Sequence, residues 1–246
     1  MSRFLRTARY VRILPTAALV LAALSSCSAG LTLAVNPDGS GTLAVDARIP
    51  DAVAARLRSY SSAGTSGSDT AASLFDSALI RKEASRRGLA SIRAETPSSN
   101  HFLGSFSFRS LESVASDPEL VETGVLRVEI TEGVTVLRFR VSRDNARALP
   151  LLFPGLDPYV LEALSPPALD PYPVTASEYR EMLQALLGTA ARAELESAEI
   201  RLQIRAPGPI LRHGGGSVSD RTFTASLKLM DLLVLDKPIE FFAGWK

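Results

Sequence analysis

"LTLAVNPDGSGTL", residues 31–43, decides how the fold begins. Leu31-Thr32-Leu33-Ala34-Val35 alternates in the period of two that sends successive side chains to opposite faces of a strand, and Thr42 to Ile49 does the same. Between them, Asn36-Pro37-Asp38-Gly39-Ser40-Gly41 gathers the residues that build tight turns. The same residue types also build calcium loops. With Gly39 at position 6 of an EF-hand loop, Asn36 and Asp38 fall at 3 and 5, but Ala34 falls at 1 and Val45 at 12. Neither of these last two offers a side-chain oxygen, and the strand pattern runs through both. The stretch reads as a hairpin, with no metal.

Working toward the carboxyl terminus, Pro50-Asp51 opens a helix to about Tyr60, and Ser61 to Ser68 is a low-complexity loop. Asp69 caps the next expected helix, with Ala71, Leu74, Phe75, Ala78 and Leu79 on one stripe and Arg86-Arg87-Gly88 closing it. Strands follow at 90–95 and 102–108, then a short helix from Ser110. A second hairpin, 125–130 and 134–141, turns at Thr131-Glu132-Gly133. Residues 150–173 hold seven of the fifteen prolines among many large apolar side chains, so they cannot form one regular helix. Thr175-Ala176-Ser177-Glu178 is a capping box, opening a helix with Tyr179, Met182, Leu183, Leu186 and Leu187 on one stripe. The tail returns to strands at 198–205, 210–213, 222–227 and 239–245, with turns at Pro207-Gly208-Pro209 and Gly214-Gly215-Gly216. The expected fold is α+β: an antiparallel sheet with packed helices, split around a helical, proline-rich middle.

The amino terminus has a different character. Arg3, Arg6, Arg9 and Arg12 precede an apolar run from Ile13 to Leu24, too short to span a bilayer comfortably and typical of a secretory signal. Leu24-Ser25-Ser26-Cys27 resembles the bacterial lipobox. That resemblance implies a diacylglyceryl thioether on Cys27, cleavage just before it and acylation of the new α-amine; several acyl chains suffice for stable anchoring. The chain thus divides into a lipoprotein signal peptide, 1–26, and one envelope domain, 27–246, with 143–188 as an elaboration. Losing the four arginines takes the formal charge from +1 to −3, which gives no motive for a nucleic-acid partner. No second cysteine exists to form a disulfide.

Little in the remaining sequence resembles catalytic chemistry. Neither His101 nor His213 has a neighbouring ligand pattern, and no H-E-x-x-H, G-x-S-x-G or P-loop signature occurs. His213 beside Ser217, the acid pairs Glu194/Glu196 and Asp231/Asp236, and the glycine run at 214–216 all read more simply as solvated or turn residues. Arg81, Lys82, Arg86 and Arg87 form a basic cluster that could meet anionic headgroups, although the end of a helix already favours cations there. The expectation is a protein without catalytic residues, cofactor or metal.

The strand, "NPDGSG", and second strand behind an acylated cysteine resemble the start of bacterial LppM-type lipoproteins. The tail resembles the same family through "AEIRLQIRAPGPILRHGGG", "RTFTASL", "DLLVLDKP" and "FFAGW". The resemblance covers both ends, and the proline-rich middle departs from it. It implies an anchored α+β envelope domain that binds an apolar ligand or lipid and supplies no catalytic residues. The expected function is therefore that of a lipid- or amphiphile-binding lipoprotein of the bacterial envelope, held to the membrane through Cys27. Phe153, Leu156, Tyr159 and Leu161 are the candidate ligand contacts, and the same residues would otherwise complete the core. The alternative is an anchored interaction module or adhesin that offers its apolar middle to an envelope protein. A concave cavity beneath that segment favours lipid; a flat or convex patch favours a protein.

Overall fold

The computed structural model describes residues 27–62 and 73–246; the signal segment, the loop residues 63–72 and the expected cap Asp69 lie outside the described residues. β1 (Cys27–Val35) and β2 (Gly41–Arg48) form the opening hairpin, with Leu31 opposite Val45 and Leu33 opposite Leu43. Its turn closes as the sequence predicts. Asn36 N donates to Ser40 O at 2.7 Å, and the Asp38 carboxylate accepts from the Ser40 hydroxyl at 2.7 Å and the Ser40 amide at 3.0 Å. Gly39 sits at φ +81°, which only glycine adopts freely.

α1 (Asp51–Ser62) follows, then α2 (Ser77–Arg86), β3 (Leu89–Ser98), β4 (His101–Phe108), α3 (Leu111–Ala115), α4 (Pro118–Thr123), β5 (Leu126–Thr131) and β6 (Val134–Val141). The proline-rich middle breaks into α5 (Leu149–Leu152) and α6 (Pro158–Leu164), with 3-10 turns before and after them. α7 (Ala176–Leu187) starts at the predicted capping box: Thr175 N donates to Glu178 Oε2 at 2.8 Å, and Glu178 N returns to Thr175 Oγ1 at 3.3 Å. α8 (Thr189–Ser197), β7 (Glu199–Arg205), β8 (Ile210–Gly214), β9 (Ser217–Ser219), β10 (Thr222–Lys228), α9 (Leu229–Val234) and β11 (Ile239–Trp245) complete the chain.

The strands form two sheets where the sequence suggested one. The larger has the order β3-β4-β2-β1-β7-β10-β9, and the smaller β5-β6-β11-β8. The fold is α+β with mostly antiparallel pairing, but β1 runs parallel to β7, its distant neighbour from the tail. The tail strands alternate between sheets, with β7 and β10 in the larger and β8 and β11 in the smaller. The Gly215-Gly216 corner lets the chain switch: Gly215 lies at φ +73°, and a Cβ there would stand 2.2 Å from Glu240 O.

One face of the large sheet is apolar across its central strands. The registers align Ala29, Leu31, Leu33 and Val35 of β1 with Ala47, Val45, Leu43 and Gly41 of β2, and the first three with Ile200, Leu202 and Ile204 of β7. The Val35–Ile204–Phe223 end packs against Leu137, Phe241, Ala243 and Trp245 of the small sheet. The other end faces the helices, whose own core joins Val53, Leu57, Tyr179, Leu183, Leu195 and Leu233. α2 covers Phe102 and Phe106 with Ile80 and Ala84. Leu33, Val45 and Leu202 pack partly against these clusters, and Leu31 and Leu43 between them are half-buried. The opposite face carries Thr32, Asp46, Arg48, Arg201, Gln203 and Ser226 into solvent, the usual division in a one-sided sheet.

Two helical readings need correction. α2 starts eight residues after the expected cap, because Asp76 is the residue whose carboxylate accepts from Ala78 N and Leu79 N, both at 2.9 Å. Leu74, in a bend, and Phe75, in a β-bridge, precede it, and the buried stripe is Ile80 and Ala84, leaving Leu79 exposed. On α7, Tyr179, Leu183 and Leu187 face the core at a spacing of four, while Met182 and Leu186 remain exposed. α8 gave no clear sequence signal.

Candidate apolar ligand site

The hairpin turn fixes the register that places Ala29 of β1 directly opposite Ala47 of β2. Both side chains are shorter than Leu31, Leu33 and Ile200 beside them on the apolar face, and they lie at the end the helices cover. Two methyl groups cannot reach the helical layer as Leu31 or Leu33 would. The space they leave is a cavity of about 120 Å³, floored by Ala29, Ala47 and Ile200. Its roof is the proline-rich middle, with Leu149, Phe153, Leu156, Val160 and Leu164; α9 closes a side with Leu229, Leu232 and Leu233. Arg48 alone among the lining residues is charged, and its strand position opposite His101 turns it to the outer face. The walls are otherwise hydrocarbon.

The roof is held by backbone and polar anchors. Asp76 N donates to Gly155 O at 2.7 Å and Asp157 N to Leu74 O at 3.0 Å, so Phe75 and Leu156 form a bridge between two straps. Gly155, at φ +74°, lets the straps touch: a Cβ there would lie 2.5 Å from Ile80 Cγ1 and 2.7 Å from Asp76 O. At the start of the roof, Arg87 Nη1 donates to Leu151 O at 2.8 Å, and its other terminal nitrogen lies 3.5 Å from Glu119. At its far end, the Tyr179 hydroxyl donates to Leu164 O at 2.8 Å. Burial raises the Tyr179 pKa well above the phenol's usual value, so the group stays a neutral donor.

The four ligand candidates separate. Phe153 and Leu156 line the cavity, and they also pack against the buried clusters beneath the roof. Tyr159 does not line it; α6 turns this residue outward and leaves it 37% exposed. Leu161 lies on α6 with its side chain outside the described residues. Cys27 is the first residue of β1, two before Ala29 of the cavity floor, and its side chain is likewise outside the described set. The sequence reading missed Phe75, Ala47, Ile49, Ile200 and the α9 leucines. The Ala29/Ala47 pair could have been read from the turn; the rest depends on tertiary packing.

The charged candidates are occupied elsewhere. Arg86 contacts Glu83 at 2.8 Å, Glu119 at 2.7 Å and Asp117 at 3.4 Å, and with Arg87 committed to Leu151 the basic cluster loses half its members as headgroup contacts. Glu194 accepts from Ala52 N at 2.7 Å at the start of α1, and Glu196 pairs with Arg180 at 3.3 Å. Asp236 lies 3.5 Å from Arg143. His101 is bonded to Asp46 at 2.8 Å, and His213 lies on β8 with its ring 6.4 Å from that of Phe223. Among the described residues, no cluster of His, Cys, Asp and Glu has a metal-ligating arrangement, and no helix is long and apolar enough to cross a membrane.

No protein-family model matches the sequence, and no curated protein matches it. The chain aligns with the NMR structure of the Mycobacterium tuberculosis LppM folded domain over 89% of its own length and 88% of that chain, with 12% identity and a TM-score of 0.40. LppM is the family that the opening turn and the tail resemble. A structural likeness this distant decides nothing about function, which has to rest on the cavity and its walls.

Proposed function

We propose that this chain is a membrane-anchored, non-enzymatic bacterial lipoprotein that receives the acyl end of a lipid or other amphiphile between its sheet and its proline-rich roof. The observation that carries this reading is the hydrocarbon-walled cavity of about 120 Å³ beneath residues 149–164. Its size limits what it takes. Complete ligand pockets run to roughly 300–1,000 Å³, whereas a cavity of about 150 Å³ stays dry and admits one small apolar molecule. The partly open cavity therefore suits a few methylenes of an acyl chain, each worth about 0.8 kcal/mol on burial. In the next row of the same sheet face, Val45 and Leu202 pack partly against neighbouring clusters, and half-buried Leu31 between them offers the rest of the acyl chain an apolar surface.

Position supports the same reading. Ala29 lies within about 7 Å of Cys27 along β1, so an anchor at Cys27 holds the cavity end of the sheet against the bilayer. The decisive test is native mass spectrometry of the chain from Ser28 onward, secreted into a bacterial envelope. The expected result is a co-purifying lipid mass that delipidation removes and added lipid restores. Ala47→Leu fills the floor, so it should abolish uptake while the fold stays intact. A clean apo mass that refuses added lipid would overturn the proposal in favour of a protein partner at the roof.

A further inference from the structure

The four sheet edges are not equally protected. β3 has two register shifts and Pro97, β9 is three residues long, and β8 turns the corner into β9. Bulges, proline and shortness are the ordinary devices that keep an edge from pairing with another chain. β5 has none of them: six regular residues, Leu126–Thr131, pair with β6 without a shift, and among the described residues no strand pairs with the other side. Beside it runs an open groove of about 510 Å³ between the strand and α3–α4, lined by every residue from Leu126 to Ile130. Ile130 is 54% exposed and Val121 55%.

The sequence of this edge is self-complementary. About Val128, an antiparallel pairing of Leu126-Arg127-Val128-Glu129-Ile130 with its own copy sets Arg127 against Glu129 twice and Leu126 against Ile130 twice. Directly opposed residues approach within about 5.5 Å, close enough for these pairs. Arg127 lies opposite Arg138, whose own partner is Glu240, and Glu129 lies opposite Val136. Neither Arg127 nor Glu129 forms an ion pair among the described residues. We infer that β5 is a homodimer edge: two copies join antiparallel through residues 126–130 about a two-fold axis at Val128, making one continuous eight-stranded sheet from two small ones.

Pairing so short is weak in dilute solution, and confinement to one membrane plane strengthens it through effective concentration. The test uses the full chain, expressed with its signal and extracted in detergent, in sedimentation equilibrium. The wild type should show a concentration-dependent monomer–dimer equilibrium. Arg127→Glu alone and Glu129→Arg alone should each weaken it by about tenfold or more, because like charges then oppose each other. Mixed together, the two variants should recover the wild-type association as a heterodimer, which also shows that both are folded. A wild type that stays monomeric up to about 100 μM, or a dimer indifferent to both reversals, would overturn the inference.

Discussion

The hydroxyl of Tyr179, a residue wholly buried on α7, donates to the carbonyl of Leu164 at the end of α6, 2.8 Å away. One bond thus fastens the helix opened by the Thr175–Glu178 capping box to the proline-rich roof. Tyr179→Phe leaves that buried carbonyl without its donor and should cost about 1–2 kcal/mol in denaturant unfolding. The substitution also changes the response to alkali. Burial holds the phenol protonated above its ordinary pKa of 10.0 in the folded chain. Above that pH the unfolded chain releases a proton that the folded chain keeps. The contribution of Tyr179 is whole below pH 10 and declines as pH rises, so wild type should lose stability relative to Tyr179→Phe there.

Two glycines with similar backbones should respond differently to alanine. Gly39 has φ +81° and open space around its Cα, so Gly39→Ala meets only the left-handed conformational cost of about 1 kcal/mol. Gly155 has φ +74° and no space, with Ile80 and the Asp76 carbonyl in the path of a side chain. Gly155→Ala should cost about 3 kcal/mol or more, because strain and overpacking add. Equal losses for the two in parallel melts would show that the straps are not tightly joined.

Phe153 and Tyr159 were equivalent as sequence candidates and are separated by the fold. Phe153→Ser exposes a packed ring's place in the roof and should destabilise by about 3 kcal/mol while weakening lipid uptake. Tyr159→Ser alters a side chain 37% exposed and outside the cavity, so uptake and stability should stay near wild type. Fluorescent fatty-acid titration beside chemical denaturation reads both quantities; loss of uptake in the Tyr159 variant would move the ligand to the outer surface of α6.

Arg87 controls how firmly the start of the roof is held. Its guanidinium donates to Leu151 O, and its buried Nε has no hydrogen-bond partner among the described residues. Arg87→Ala should cost about 2 kcal/mol. The larger effect should be local, as faster amide exchange or proteolysis around residues 150–157. A global loss without local loosening would assign Arg87 to α2 alone.

The anchor is tested separately. Cys27→Ser should move the chain from the membrane fraction to the soluble fraction, leaving the melting behaviour of the domain unchanged. Membrane retention by the serine variant would mean that the apolar run before it holds the chain.

The elements most legible in the sequence were those whose determinants are local. Asn36–Gly41, Thr175–Glu178 and Glu132-Gly133 each contain within a few residues the groups that make the turn or cap. The strand pattern of the tail was equally plain, but its division between two sheets was not. Pairing partners such as Leu202 with Leu31 are set by burial across the whole chain, and nothing in either strand names the other. The cap of α2 misled because Asp69 and Asp76 are chemically equal. Tertiary bonds from Leu74 and Asp76 to the roof decide between them. Phe153, Leu156 and Tyr159 were all picked as apolar residues in an irregular segment; the first two line the cavity and Tyr159 does not. The cavity itself is made by small residues, Ala29 and Ala47, which apolar patterning passes over.

The central position of β1 has a mechanical consequence. It lies between β2 and β7 and begins at Cys27, so a tether there would pull along the strand against both ladders. Such a pull loads the interstrand bonds together in shear instead of opening them one by one. Force transmitted from the membrane would enter the fold through a strand braced on both sides, and the roof, fixed to α2 and α7, would stay out of the line of load.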